Sequence, residues 1–100
     1  DFTFIDDIIL GTKSALENNY QCEVFNLGNN KSIKLMDLVN IIEDELKIKA
    51  EIEYRPMQPG DVKETYADIT ETTKRLNYKP RTSIIEGIPK FINWFREYYD

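Results

Sequence analysis

The sequence points to an α/β fold, an α+β-like arrangement of about three main helices and three or four short strands. Two observations carry that expectation. Short β-prone runs that end in Gly, Asn or Asp alternate with longer runs whose apolar residues recur at helical spacing. Turn formers punctuate the alternation, as in Gly28-Asn29-Asn30 and Asn77-Tyr78-Lys79-Pro80.

Residues 2–5 are β-prone and lead to Asp6, a good N-cap residue. The helix expected next carries Ile5, Ile8, Ile9, Thr12, Ala15 and Leu16 on one face and closes at Glu17-Asn18-Asn19. Asp6 and Asp7 are adjacent and therefore do not face one another on a helix; a cap with a favourable dipole interaction explains them better than an acid/base pair. Residues 22–27 form the second expected strand, with Cys22 as a small buried residue. Gly28-Asn29-Asn30 stops it, but lacks the glycine spacing of a phosphate-binding fingerprint.

The second helix is expected from Leu35 to about Lys47, burying Leu35, Leu38, Val39, Ile42 and Leu46. Residues 50–55 alternate Ile52 and Tyr54 with Glu51, Glu53 and Arg55, the pattern of a half-exposed strand. Residues 65–69 are expected to be extended and residues 70–76 to form a short helix that Pro80 keeps from continuing. Ser83-Ile84-Ile85-Glu86 matches a capping box for the last helix, with Ile88, Phe91, Ile92, Trp94, Phe95 and Tyr98. Starting the helix there leaves Pro89 past the first turn, where it costs about 3 kcal/mol or bends the helix. The aromatic residues of this helix are read as packing, because no basic groove accompanies them.

Between strand and short helix lies Met57-Gln58-Pro59-Gly60-Asp61-Val62. Pro59 presets φ, and Gly60 can take the positive φ that a type II turn requires at the next position. The turn holds an amide, Gln58, and a carboxylate, Asp61, at its two ends. Such a pair suits a hydroxylated ligand; the rival reading is a solvated hairpin turn.

Composition narrows the chemistry. One hundred residues with 41 % hydrophobic content suffice for one small domain rather than a disordered chain. Thirteen basic against eighteen acidic residues give a net charge of −5, with no basic stripe for nucleic acid. With one cysteine and no histidine, the chain holds no internal disulfide, no His-dependent nucleophile and no ordinary zinc site. No run approaches the ~18 apolar residues of a membrane span.

The motifs, taken in order, resemble the C-terminal third of an extended short-chain dehydrogenase/reductase acting on nucleotide sugars. Asp1-Phe2-Thr3-Phe4-Ile5-Asp6-Asp7-Ile8 and Val24-Phe25-Asn26-Leu27-Gly28 are similar to two family segments. Met57 to Val62, Thr65-Tyr66-Ala67-Asp68-Ile69, Leu76-Asn77-Tyr78-Lys79-Pro80 and the tail from Thr82 to Tyr99 complete the set. The resemblance is nearest to UDP-glucuronate 4-epimerases, including the capsule-biosynthesis type. It makes residues 1–100 a C-terminal substrate-binding segment whose N-terminal NAD-binding domain lies outside this chain.

In galactose epimerases of this superfamily an Arg-x-Gly-Asp segment reaches the UDP moiety. By position, the resemblance assigns substrate-binding roles to Gln58, Gly60 and Asp61, with Met57 lining the same pocket. Gln58 stands where the family has Arg, and an amide carries no charge for the diphosphate. Asn77 stands where the family has the Gly of Leu-Gly-Tyr. The family's Tyr-x-x-x-Lys pair and Gly-rich NAD turn are absent, so the chain is expected to contain no catalytic residue, to bind no NAD or metal, and to be inactive alone.

The implied activity of the parent is NAD-dependent interconversion of UDP-glucuronate and UDP-galacturonate through a 4-keto intermediate, in the cytoplasm. A dehydratase or decarboxylase of the same superfamily, or a non-catalytic interaction module, are the alternatives. The implied partners are the UDP-sugar and the missing domain, with self-association through the cut face and no nucleic acid or membrane.

Overall fold

The computed structural model describes all 100 residues and contains four helices: α1 (Ile5–Asn18), α2 (Leu35–Leu46), α3 (Thr70–Leu76) and α4 (Ile84–Tyr99). It contains no strand, so the expected α/β class is wrong and the chain is all-α. Of 41 backbone–backbone hydrogen bonds, 31 lie within helices, and the other ten close turns or helix ends. None joins two of the four β-prone runs. A strand exists only when a second one lies beside it to accept and donate along a ladder, and in this chain no run supplies that partner to another.

The helix positions follow the sequence more closely than the sheet does. α1 begins one residue before Asp6, with Phe4 in the extended N-cap position, so Asp6 does not cap it. Its other end is Asn19 in the left-handed region, φ 50°, and Lys47 and Asn77 end α2 and α3 the same way at φ 60° and 54°. Asn77 therefore occupies a position where Gly is the default and Asn the best-tolerated alternative. α4 starts after Ser83 as expected and runs through Pro89. The capping box is not made: Ser83 offers only its backbone carbonyl to Glu86 and Gly87, while the Glu86 carboxylate takes Lys90 Nζ at 2.7 Å.

α1 packs against α3, and α2 against α4. The α1–α3 half holds the main core, where Ile69, Leu76 and Tyr78 are buried among Ala15, Phe25, Leu27 and Ala67, with Thr72 beside them. α1 enters this core on a face that shares only the half-buried Ile8 and Ala15 with the one expected. Asp7 and Gly11 are buried, whereas Ile5, Ile9 and Leu16 are 57 % or more exposed. A Cβ on Gly11 would stand 2.6 Å from Leu27, so the absent side chain is what admits the helix. α2 buries no residue, and Leu35 is exposed. Cys22, expected to be buried, is exposed too.

Two carboxylates tie distant segments together. Asp7 accepts the N–H groups of Arg81 and Thr82, both at 3.0 Å, and joins α1 to the approach of α4. Asp1 accepts the N–H groups of Asn29, Asn30 and Ala67 at 2.9, 3.1 and 2.8 Å, and also the Thr3 hydroxyl.

Candidate functional site

The loop of residues 57–62 folds as its sequence requires. Gly60 has φ +93°, and the Asp61 N–H donates to the Gln58 carbonyl at 3.1 Å, which closes the type II turn across Pro59-Gly60. Nothing lies within 4 Å of a Cβ on Gly60, so glycine is there for its backbone angle rather than for space. One Asp61 oxygen accepts the Gln58 N–H at 3.0 Å, so this carboxylate braces its own turn. The Gln58 side-chain amide makes no hydrogen bond within the chain, and Met57, Gln58, Gly60 and Asp61 are all exposed. The four sequence-predicted residues thus stand together on one surface turn, with an amide and one carboxylate oxygen turned to solvent.

Past the turn the chain becomes one wall of a cleft of about 590 Å³. Val62, Lys63, Glu64 and Thr65 form that wall; Ser32, Ile33, Lys34 and Leu35, at the start of α2, face it, and Asp1 and Phe2 close one end. The volume suits a drug- or nucleotide-sized ligand, for which pockets run from ~300 to ~1,000 Å³. The Ser32 hydroxyl donates to the Thr65 carbonyl at 3.1 Å and bridges the walls. Each wall carries one lysine, Lys34 and Lys63, and the lining also holds the carboxylates of Glu64 and Asp1. Sequence reasoning missed Asp1, Ser32 and Lys34, which meet the site only across about 30 residues or more of chain, and Lys63, which directly follows the turn but lines a cleft only because residues 32–35 face it.

No group of three His, Cys, Asp or Glu is placed to hold a metal ion. The residues also do not fit NAD: a dinucleotide is seated by a strand–turn–helix unit with clustered glycines, and the chain has neither a strand nor that cluster. No helix is long and apolar enough to cross a membrane.

No family model matches the chain. Individual proteins do. The uncharacterized protein MJ1055 of Methanocaldococcus jannaschii is 46 % identical over 100 residues, covering 100 % of the chain and 31 % of that protein. A UDP-glucuronate 4-epimerase of Thermodesulfobacterium geofontis is 41 % identical over 98 residues, covering 97 % of the chain and 30 % of the relative. The crystal structure of UDP-glucuronic acid 4-epimerase from Bacillus cereus in complex with UDP-glucuronic acid and NAD superposes with a TM-score of 0.88 at 32 % identity, over 99 % of the chain and 32 % of that protein. The chain is therefore similar, from end to end, to a segment of NAD-dependent UDP-glucuronate 4-epimerases, and spans about a third of their length.

Proposed function

We propose that the chain is the C-terminal, substrate-binding segment of a UDP-glucuronate 4-epimerase, an isomerase that interconverts UDP-glucuronate and UDP-galacturonate in the cytoplasm with NAD as cofactor. The similarity to an epimerase crystallised with UDP-glucuronic acid and NAD, across 99 % of the chain, is the observation that carries this reading. The cofactor chemistry belongs to the other two-thirds of the parent, since the residues described do not fit NAD. This segment's own part is to hold the nucleotide so that the sugar is oriented toward that chemistry. Binding far from the reacting carbon supplies such orientation.

Within the segment, the free Gln58 amide and the outward oxygen of Asp61 are the polar groups offered to the ligand. Gly60 serves by its backbone angle, and Met57 by apolar contact at the rim. The test is epimerisation of UDP-glucuronate by the full-length parent. Gln58→Ala is expected to raise the KM for the UDP-sugar roughly five- to tenfold, the worth of about one hydrogen bond. It should leave the urea midpoint unchanged, because the amide makes no bond within the chain. A parent that does not turn over UDP-glucuronate, or a Gln58→Ala variant with unaltered KM and kcat, would overturn the corresponding part of the reading.

A further inference from the structure

The two walls of the cleft are not held by a sheet or by a buried core between them. What joins them is Asp1: its amino group donates to the Thr65 carbonyl and hydroxyl at 2.9 and 2.8 Å, and its carboxylate reaches both segments. One carboxylate oxygen accepts the Asn29 N–H at 2.9 Å; the other accepts the Asn30 N–H at 3.1 Å and the Ala67 N–H at 2.8 Å. One charged group thus holds the turn that leads to Ser32 and Lys34 against the segment that follows Lys63. Gly28 makes the approach possible, because a Cβ there would lie 2.5 Å from Ala67 Cβ and 3.0 Å from the same Asp1 oxygen. The Ser32-to-Thr65 bond at 3.1 Å is a further link that joins the same segments directly.

We propose that Asp1 is a positioning residue for nucleotide-sugar binding: by clamping the Gly28-Asn29-Asn30 turn to Ala67 it sets the separation of the two cleft walls and of the lysine each carries. The argument is one of charge and geometry. A carboxylate that accepts several backbone N–H groups makes stronger bonds than a neutral acceptor, and it fixes their relative places. Asn at this position would keep one acceptor oxygen but would turn an NH2 donor toward N–H donors, so the clamp would open on one side. Asp1 closes one end of the cleft, but its carboxylate is engaged by backbone N–H groups, so it acts through the backbone. The proposal rests on the reading of this segment as a nucleotide-sugar site.

The experiment compares Asp1→Asn, Asp1→Glu, Ser32→Ala and Gln58→Ala in the full-length parent, with UDP as the binding probe, UDP-glucuronate as the substrate and amide deuterium exchange as the structural readout. Asp1→Asn is expected to speed exchange at Asn29, Asn30 and Ala67 and to raise the UDP Kd and the UDP-glucuronate KM roughly tenfold, with kcat within about twofold. Asp1→Glu, which keeps the charge, should recover part of both the protection and the affinity. Ser32→Ala should raise KM by a smaller factor, and decides the matter with Asp1→Glu if Asp1→Asn does not fold. Faster exchange with unchanged Kd and KM, or a fall in kcat at constant KM, overturns the proposal. If Gln58→Ala weakens UDP binding and the Asp1 and Ser32 variants do not, only the Asp1 role fails. If none of the four moves Kd or KM, the nucleotide-sugar reading fails with it.

Discussion

Asp7 is 2 % exposed and makes no ion pair; its two oxygens are met by two backbone N–H groups that have no other acceptor. Removing the carboxylate with Asp7→Ala would leave both N–H groups unpaired next to a hole. The expected loss is about 2–4 kcal/mol, readable as a lower urea midpoint, and Asp7→Asn should lose less because one acceptor remains. Tyr78 is the other buried polar side chain of consequence. Its hydroxyl donates to the Gly28 carbonyl at 2.7 Å, and burial, followed by the negative charge of Asp7, pushes its phenol above the ordinary tyrosine value.

A raised phenol keeps its proton in the folded state. Its contribution is therefore complete below the unfolded value near pH 10, and is lost as pH rises from there toward the folded value. Urea midpoints taken between pH 7 and 10.5 should fall above about pH 10 in the native chain and fall less in Tyr78→Phe. That variant should also start about 1 kcal/mol lower at neutral pH, for the lost bond to Gly28.

Among the helices, α4 carries the clearest local conflict. Pro89 is the sixth residue of a continuous helix, where a residue with an N–H would donate to the Ile85 carbonyl. Pro89→Ala restores that bond and a better helix former, at the cost of a freer unfolded chain and some lost contact from a half-buried ring. A net gain of about 1–2 kcal/mol is expected by chemical denaturation. α4 also lines its length with aromatic rings that meet mainly one another: Trp94 stacks on Tyr98 at 5.4 Å, and Phe95 lies 4.7 Å from Tyr99. The expectation that these rings are packing residues is met only within the helix, because Phe91, Trp94, Tyr98 and Tyr99 remain 50 % or more exposed. α1 repeats the pattern. Its apolar ridge at Ile5, Ile9 and Leu16 faces outward, while the face that is buried holds Asp7 and Gly11. Both helices have the sequence of core elements and lack a neighbour on their most apolar side.

For the molecule as a whole, those faces add up. The chain exposes 8298 Å² at 11.8 kDa, against about 5,900 Å² for a compact monomer of that mass. Its radius of gyration is 16.3 Å, where about 13 Å is usual for 100 residues. Only ten residues are buried. The surplus area, roughly 2,400 Å², is of the size that permanent interfaces remove from water. An apolar cleft of about 290 Å³ between Phe2, Phe4 and Ile5 and the start of α4 belongs to the same uncovered surface. The remaining two-thirds of the parent is the cover we propose. The 100-residue chain by itself is accordingly expected to self-associate, with an apparent mass in sedimentation that rises with concentration. Joining it to the rest of the parent should remove the binding of an apolar dye. A chain that stays monomeric and binds no dye would overturn this expectation.

The local chemistry of the chain was enough to locate its helices and its turn. Apolar spacing marks α1, α2 and α4, the Asn77-to-Pro80 run marks the end of α3, which Asn77 makes in the left-handed region, and Pro59 with Gly60 dictates a type II turn that the structure contains. Each of these depends on residues within a few positions of one another. The absence of a sheet, the face that α1 turns inward, and the meeting of Asp1 with Asn29, Asn30 and Ala67 were decided only in three dimensions. A β-prone run becomes a strand only beside another strand, and a helix buries whichever face its neighbours cover. Those neighbours are set by segments far along the chain. The same reason explains the site: Gln58, Gly60 and Asp61 were legible as neighbours in one turn, whereas the cleft beside them exists because a carboxylate at residue 1 reaches a backbone amide at residue 67.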